Sequence, residues 1–490
     1  MFTIVSSMDK KELGIYIHIP FCVRKCLYCD FLSFGRDHFG YLQAGSGHDP
    51  KTGFWHYPES GGMHRPETET IHYSETGSGR NRESESGVCT RTDPLFGSGK
   101  DKSIEREYAG ALLREIGQAP FKFGFDSSEY RVKTIYFGGG TPSCIDEVYI
   151  ISILRKLYEC FDIKKPEETE ITLEANPGTL TESKLIAFRK AGINRLSLGL
   201  QSASDKELKL LGRIHSYDDF LKSYELSRRA GFENINVDIM TAIPGQDMES
   251  LNDTLCKLVK LDPEHISAYS LILEEGTPFY SMYHRDEEGS DDREAGSGHI
   301  KPPRPVRQEN SSLHACDLSC HAELPSAEAE RQMYWFVRDE LKKHGYDRYE
   351  ISNFAKKGFE SRHNRACWKR IPYLGFGLGA SSLINETRYR NTTDMQRYLN
   401  GPDDPSLFEE KIKISEKERM EETMFLGLRT AEGVSIPRFF DTFGVRVYDI
   451  YKDELTKLKR DGLITISEEA ICLTDKGTDY GNYVFSRFLF

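Results

Sequence analysis

The chain has 490 residues, which is enough to bury a large core and to form two or more domains. Its formal net charge of −12 argues against a general nucleic-acid-binding protein, which would present a basic face. No apolar run approaches the length of a membrane-spanning helix, and the N-terminus, which could begin at Met1 or Met8, shows no signal-peptide pattern.

Six apolar, β-branched runs predict six strands, and helical patterns lie between them. The strands are predicted at 14–20, 134–140, 170–177, 195–202, 234–244 and 265–273. The helices are predicted at 104–118, 147–160, 182–191, 217–230 and 250–261. Such alternation is typical of right-handed βαβ units and a parallel sheet. The predicted fold class is therefore α/β, a partial (β/α)6 barrel of the TIM type, formed by 1–34 and 103–283.

Two segments interrupt this alternation. Residues 35–102 and 284–326 are rich in Gly, Ser, Glu and His and show no periodicity, so we expect inserted low-complexity loops. The second segment contains a cluster of His and Cys residues, namely His314, Cys316, Cys320 and His321. This cluster either binds a metal ion or heme, or is an incidental feature of the loop.

The remaining sequence predicts an extension of the barrel at 327–404 and a small domain at 405–490. In the small domain, helices are predicted at 415–429, 435–443 and 447–460, followed by a hairpin (463–466 and 470–473) and one final helix. This order resembles a winged helix. The segment carries 13 Lys or Arg against 16 Asp or Glu, which favours a packing or docking role over DNA binding.

Three cysteines lie on one short loop directly after the first predicted strand. Cys22, Cys26 and Cys29 have the spacing C-x3-C-x2-C. Three thiolates at this spacing can bind three irons of a 4Fe–4S cluster and leave the fourth iron open. Zinc is an alternative, but structural zinc usually takes four ligands and no partner pair lies nearby. Because these thiols must stay reduced, we expect a cytoplasmic protein.

Polar residues are concentrated where the predicted strands end. They occur at 138–142, at 174–177, at 201–202 and at Asp238. Active sites of parallel barrels form at this carboxyl face, and the cysteine loop follows the first strand on the same face. The sequence therefore predicts one site that contains both sets of residues.

The cysteine motif, with an aromatic residue before its last cysteine, followed by F-G-G-G-T-P, resembles the radical S-adenosylmethionine (SAM) superfamily. More narrowly, the chain is similar to the oxygen-independent coproporphyrinogen III oxidase family, from about residue 12 to the C-terminus outside the two insertions. The resemblance implies that SAM chelates the open iron and that an electron donor such as flavodoxin or ferredoxin reduces the cluster.

The resemblance also implies roles for particular residues. Cys22, Cys26 and Cys29 would bind the cluster, and the SAM contacts would be Tyr16, Tyr28, Gly139, Gly140, Thr141, Glu174, Gln201, Arg213 and Asp238. An acid suits the ammonium group of SAM and an arginine suits its carboxylate. Without the resemblance, Glu174 and Asp238 could be helix caps or loop acids, and Arg213 could be a surface charge.

Other segments are similar to the heme-chaperone (HemW-type) branch of this family. They are 349–355, 361–368, 373–375 and 425–429. The resemblance to an H-N-x-x-Y-W motif implies that His363 ligates heme, although Cys367 replaces the usual Tyr and is itself an alternative ligand. The true oxidases carry a fourth cysteine where this chain has Phe31.

Three functions therefore compete. The favoured one is a heme chaperone that binds a 4Fe–4S cluster and SAM and delivers heme to an apo-hemoprotein, such as a membrane-associated respiratory protein. The second is a coproporphyrinogen III oxidase, which performs an oxidative decarboxylation. The third is an iron–sulfur or interaction protein without catalytic activity. No residue is predicted to be catalytic.

Overall fold

The computed structural model of the chain describes residues 10–35, 103–164, 168–283 and 322–489. Nearly all of both predicted insertions lies outside the described residues. The cluster of His314, Cys316, Cys320 and His321 also lies outside them. In the described ranges, no helix is both long enough and apolar enough to cross a membrane.

The strands, numbered in chain order, are β1 (Lys11–Ile19), β2 (Phe21–Cys22), β3 (Phe34–Gly35), β4 (Tyr130–Gly139), β5 (Glu170–Ala175), β6 (Arg195–Gln201), β7 (Ile235–Thr241), β8 (His265–Ser270), β9 (Asp347–Arg348), β10 (Asn353–Ala355), β11 (Tyr373–Phe376), β12 (Ser381–Ile384), β13 (Thr387–Asn391), β14 (Phe408–Lys413), β15 (Val434–Ser435), β16 (Ile464–Ile466) and β17 (Ala470–Leu473).

The α-helices are α1 (Ile104–Gly117), α2 (Ala119–Phe123), α3 (Glu147–Cys160), α4 (Glu182–Ala191), α5 (Asp205–Leu210), α6 (Tyr217–Arg229), α7 (Met248–Leu261), α8 (Pro278–Tyr283), α9 (Ala327–Lys343), α10 (Arg362–Trp368), α11 (Met395–Asn400), α12 (Glu416–Gly427), α13 (Ile436–Phe443), α14 (Val447–Arg460), α15 (Asp475–Asp479) and α16 (Gly481–Ser486).

The main sheet of the described chain has 12 strands in the order β14-β13-β12-β11-β1-β4-β5-β6-β7-β8-β10-β9. The strands from β11 to β8 run parallel, and antiparallel strands extend the sheet at both ends. The predicted α/β partial barrel is thus confirmed, and its six predicted strands and five predicted helices all form. One parallel strand, β11, was not predicted as a strand: its four residues pair with β1 along 14–17.

Side chains alternate between two faces of the parallel strands, as the two-residue period of a strand requires. One face is apolar and fully buried, and it includes Ile15, Ile17, Ile135, Phe137, Ile171, Leu173, Leu196, Leu198, Ile235 and Val237. The alternate positions are polar and include Tyr16, Tyr136, Glu174, Ser197, Asp238 and Ser267. The interior of a TIM-type barrel is usually filled with branched apolar side chains. A polar interior here leaves a lumen suited to a polar ligand.

Side-chain caps fix where the barrel helices begin. The Asp146 carboxylate accepts a hydrogen bond from the Val148 amide at the start of α3. Ser216 and Asp219 form a reciprocal capping box at the start of α6. These caps explain why both helices begin where the sequence predicts.

The C-terminal segment forms helices α12 to α14 and a three-stranded sheet, β15-β17-β16. Its core contains Met424, Leu428, Phe439, Leu455, Leu458, Ile471, Val484 and Phe488. The predicted helices and hairpin are present, and β15 adds a third strand. The final predicted helix is instead two short helices, since Tyr480 has φ −107° and ψ 29°, which interrupts the α-helical backbone.

Ion pairs and a cation–π contact connect this C-terminal segment to the barrel. Glu422 of α12 accepts hydrogen bonds from Arg370 at 2.6 Å and from Arg388 at 2.8 Å. The Arg429 guanidinium lies 4.9 Å from the ring centroid of Trp368 at the end of α10. In the Arg370–Glu422 pair both side chains are buried, and removal of either partner would be strongly destabilising. The two parts of the chain are therefore firmly docked through α10 and the residues that follow it.

Candidate functional site

A cavity of about 350 Å³ opens at the carboxyl ends of the parallel strands. This volume lies in the range of small-molecule sites. Of the 13 residues predicted for the site, 11 line this cavity. They are Cys22, Cys26, Tyr28, Cys29, Gly139, Gly140, Thr141, Glu174, Gln201, Arg213 and Asp238. Tyr16 and His363 are not among the lining residues. The structure therefore brings together residues that are spread over more than 200 positions of sequence.

The cysteine loop is closed at its base and supported at its tip. At the base, β2 and β3 pair in parallel, with Cys22 opposite Gly35. At the tip, the Leu27 amide donates to the Leu211 carbonyl at 3.2 Å, and the Leu27 carbonyl accepts from the Phe279 amide at 3.1 Å. These backbone contacts hold the three thiols at the edge of the cavity.

Two of the three thiols are in surroundings that disfavour a free thiolate. Burial raises the pKa of Cys22, and it raises the pKa of Cys29 to about 11. Both thiols are therefore protonated at neutral pH unless a bound cation stabilises the thiolates. Within the described ranges, no three His, Cys, Asp or Glu side chains are grouped so that they could hold a single metal ion.

Arg213 links the cysteine loop to the ends of the strands. Its guanidinium contacts the Cys26 sulfur at 3.6 Å and donates to the Asn176 side chain and the Gly199 carbonyl, both at 2.7 Å. Asn176 in turn donates to the Thr141 hydroxyl at 2.7 Å. A side chain with this many fixed contacts is part of the cavity wall, unlike a free surface charge.

Two carboxyl groups line the cavity, Glu174 on β5 and Asp238 on β7. Glu174 accepts hydrogen bonds from the Tyr136 hydroxyl at 2.7 Å and from the Gly139 amide at 3.2 Å. Burial raises the pKa of Glu174 to about 7. Asp238 accepts from Ser197 at 3.1 Å and from Asn236 at 2.7 Å, and burial raises its pKa as well. Neither acid caps a helix.

Glycines are required where β4 meets the cysteine loop. A Cβ atom on Gly139, which has φ +109°, would lie 2.5 Å from the His18 ring. A Cβ atom on Gly140 would lie 2.6 Å from the Phe21 carbonyl oxygen. Gln201 also has a positive φ of 72°, at a register shift between β6 and β7. Such backbone strain is concentrated at functional sites and must be held by the surrounding structure.

Tyr16 lies behind the cavity wall. Its hydroxyl forms a hydrogen bond with His18 Nδ1 at 3.0 Å, and its ring packs against Tyr136 with 6.3 Å between centroids. Tyr136 does line the cavity. In this structure Tyr16 therefore contacts the lining residues and does not itself reach the cavity.

His363 lies at the opposite, amino end of the barrel. Glu170, the first residue of β5, accepts hydrogen bonds from the backbone amides of Arg362 and His363, both at 3.0 Å. The His363 ring stacks on Tyr136 with 5.1 Å between centroids, and its Nδ1 forms a hydrogen bond with Thr134 Oγ1 at 3.0 Å. The side chain is buried, and burial lowers its pKa to about 4. The imidazole is therefore neutral.

The chain matches two protein-family models. Residues 125–258 match the radical SAM superfamily, and residues 414–480 match the HemN C-terminal domain. The heme chaperone HemW of Bacillus subtilis is 36% identical over 387 residues, which is 78% of this chain and 91% of that protein. The chain belongs to the HemW family. The HemW of Lactococcus lactis is 34% identical, over 73% of this chain and 85% of that protein.

The membership of the HemW family confirms the predicted resemblance, and a solved structure supports the fold. The structure of coproporphyrinogen III oxidase (HemN) from Escherichia coli, described as a radical SAM enzyme, matches with a TM-score of 0.66. The match covers 98% of this chain and 90% of that one, at 18% identity. At this identity the likeness shows the fold alone.

Some lining residues of this HemW-family cavity were not predicted from the sequence. They are Tyr136, Arg195, Ser197, Asn236, Ser267 and Tyr269. Arg195 is 2% exposed, and its Nε has no hydrogen-bond partner among the described residues. A signal for it is present in the sequence, because an arginine opens the otherwise apolar strand R-L-S-L-G-L. The other residues become recognisable only when the barrel brings alternate strand positions together.

Proposed function

We propose that this HemW-family protein is a heme chaperone that binds a 4Fe–4S cluster and SAM in the cavity at the carboxyl end of its barrel. One observation carries the proposal: the C-x3-C-x2-C thiols, the last two glycines of the F-G-G-G-T-P run and the two buried acids line the same cavity. The name of the relatives, heme chaperone, supplies the proposed cargo.

The donor set fits a cluster. Cys22, Cys26 and Cys29 would each bind one iron, and the fourth iron would have no protein ligand. Since burial raises the pKa of two of these thiols, binding of the cluster is expected to release protons. Arg213 next to Cys26, and Lys25 within the loop, would offset the net negative charge of three thiolates on the cluster.

The remaining lining residues fit SAM. Gly139, Gly140 and Thr141 line the cavity, where they would lie along the methionine part of SAM. The acid Glu174 suits an ammonium group, Arg213 suits a carboxylate, and Asp238 and Gln201 suit ribose hydroxyls. Tyr28 would contact the adenine. Tyr16 would support Tyr136, on which its ring packs. When bound and reduced, the cluster supplies an electron to the sulfonium of SAM.

Heme does not fit beside His363 in this conformation. The imidazole is 8% exposed, one ring face is covered by Tyr136, and Nδ1 is occupied by Thr134. Trp368, at the other end of α10, lies under Arg429. Ligation of heme by His363 or by the half-buried Cys367 remains a prediction, and ligation by His363 requires α10 to move away from the barrel.

The proposed partners follow from this function. They are heme, an apo-hemoprotein that accepts it, and an electron donor such as flavodoxin or ferredoxin. We also propose a cytoplasmic location, because the eight cysteines in the described ranges are all free, as expected in a reducing compartment.

Oxidative decarboxylation of coproporphyrinogen III remains the alternative function, since the fold is shared with HemN. Both functions can be tested in one experiment on anaerobically reconstituted protein. Transfer of hemin to an apo-hemoprotein and conversion of coproporphyrinogen III with SAM and reductant are measured in parallel. The proposal expects transfer without conversion. Conversion without transfer would contradict it.

A further inference from the structure

A chain of three side chains connects α10 to the cavity. The His363 ring stacks on Tyr136 at 5.1 Å with an interplanar angle of 27°. The Tyr136 hydroxyl donates a 2.7 Å hydrogen bond to Glu174. His363 thus reaches the candidate SAM site through Tyr136, although it does not line the cavity itself.

We propose that His363 is a positioning residue of the SAM site: its ring holds Tyr136 in the orientation that directs the tyrosine hydroxyl onto Glu174. The inference rests on the proposed binding of SAM in this cavity. It assigns to His363 a role that is separate from heme ligation, and it makes α10 part of the SAM site.

The contacts around His363 fix the ring from several sides. Its backbone amide is bound to Glu170, its Nδ1 to Thr134, and its Cε1 atom would lie 3.8 Å from a Cβ atom on Gly14. That distance is an ordinary van der Waals contact, so the imidazole lies against the β1 backbone at Gly14. The Ser361 hydroxyl caps α10 by accepting from the Asn364 amide at 3.2 Å. The histidine is held as firmly as the tyrosine that it supports.

Besides His363, the Tyr136 ring lies against Gly138, where a Cβ atom would be 2.9 Å from its Cε1 atom. Its ring packs more loosely on Tyr16, with 6.3 Å between centroids, and its hydroxyl is committed to Glu174. The hydrogen bond from Tyr136 lowers the pKa of Glu174 and so opposes part of the effect of burial. If Tyr136 turned away, Glu174 would be harder to ionise and would attract an ammonium group less.

A coupling between two ligands follows. Any ligand that draws His363 out of the barrel would release Tyr136 and weaken the binding of SAM. By thermodynamic reciprocity, SAM would weaken the binding of that ligand by the same factor. The two-state element is α10, which either inserts His363 between Thr134 and Tyr136 or does not.

The test measures equilibrium binding of SAM to the full, anaerobically reconstituted chain between about pH 6 and pH 8. His363→Ala is expected to weaken SAM binding about two- to tenfold, the range expected for loss of one aromatic contact. It should also move the pH midpoint of binding above that of the unaltered protein, and Tyr136→Phe should move it in the same direction. His363→Phe retains a ring on Tyr136 and should stay within about twofold of the unaltered protein.

His344→Ala is the matched control, because His344 is exposed, does not line the cavity and has an imidazole that forms a hydrogen bond with Glu340. Unaltered affinity and midpoint in His363→Ala would overturn the inference. Equal losses in His363→Ala and His363→Phe with no change of midpoint would also overturn it, since they would indicate a general structural loss. If the unaltered protein binds no SAM, it is the proposed function that fails.

Discussion

Arg213 and Cys26 are in contact, with 3.6 Å between a guanidinium nitrogen and the sulfur. The other terminal nitrogen of Arg213 binds Asn176 and the Gly199 carbonyl, both at 2.7 Å. One cation therefore touches both the cysteine loop and the strand ends. It provides a direct connection between the two halves of the proposed site.

Arg213→Lys should weaken SAM binding about tenfold or more, because hydrogen bonds from a charged donor contribute roughly 1.5–3 kcal/mol. A lysine keeps the charge but has no planar fork that reaches three acceptors. The dissociation constant for SAM is measured on reconstituted protein. Arg229→Lys is the control, since Arg229 forms an exposed ion pair with Glu182. Equal affinity in both variants would contradict the role of Arg213.

Binding of SAM should strengthen as the pH rises through about 7. Burial raises the pKa of the Glu174 carboxyl group to about this value. Below this pH the carboxyl is mostly protonated and neutral, and above it the carboxylate attracts the ammonium group of SAM. Isothermal titration at several pH values tests this dependence. Glu174→Gln should bind weakly at every pH with no step near pH 7. A step that persists in this variant would show that another group titrates.

Gly140→Ala should destabilise the cysteine loop, because the new Cβ would lie 2.6 Å from the Phe21 carbonyl oxygen. Such overpacking typically costs about 1–3 kcal/mol. Iron content and the thermal unfolding midpoint are the readouts. The matched control is Gly110→Ala in α1, where a Cβ would meet no atom within 4 Å, and alanine is expected to stabilise the helix by about 0.5–1 kcal/mol. Equal behaviour of the two variants would be evidence against the close packing.

The sequence predicts the main part of the fold and most of the site, for a physical reason. Apolar strands that end in Gly, Asn and acids mark the carboxyl face of a parallel sheet, and the cysteine loop follows the first of these strands. Cys22, Glu174 and Asp238 could therefore be predicted to lie together. Such a prediction needs only the position of each residue at or just after the carboxyl end of its own strand.

Other features depend on contacts between distant segments. Strand β11 has only four residues and is specified by its pairing with β1. The position of His363 inside the barrel depends on Glu170, which is 193 residues earlier in the chain. The break at Tyr480, directly before Gly481, divides the final helix that the sequence analysis predicts as one. Periodicity along one segment carries no information on these long-range contacts.

Hemin binding should depend on His363. Titration of the reconstituted protein with hemin is expected to give a Soret band, and His363→Ala should lose it or weaken the affinity, because a neutral imidazole is a good axial ligand. SAM added before hemin should lower the apparent hemin affinity if α10 has to leave the barrel. An unchanged band in His363→Ala would show that heme is ligated elsewhere, and Cys367→Ala would then be tested in the same way.

The central claim is that three thiols bind a 4Fe–4S cluster whose open iron accepts SAM. The most direct measurement is the EPR spectrum of the reduced, anaerobic protein with and without SAM, combined with an iron assay. We predict about four iron atoms per chain and a spectrum that changes when SAM is added, and near-zero iron in Cys26→Ala. A protein that binds zinc in place of iron, or a cluster whose spectrum is identical with and without SAM, would contradict the claim.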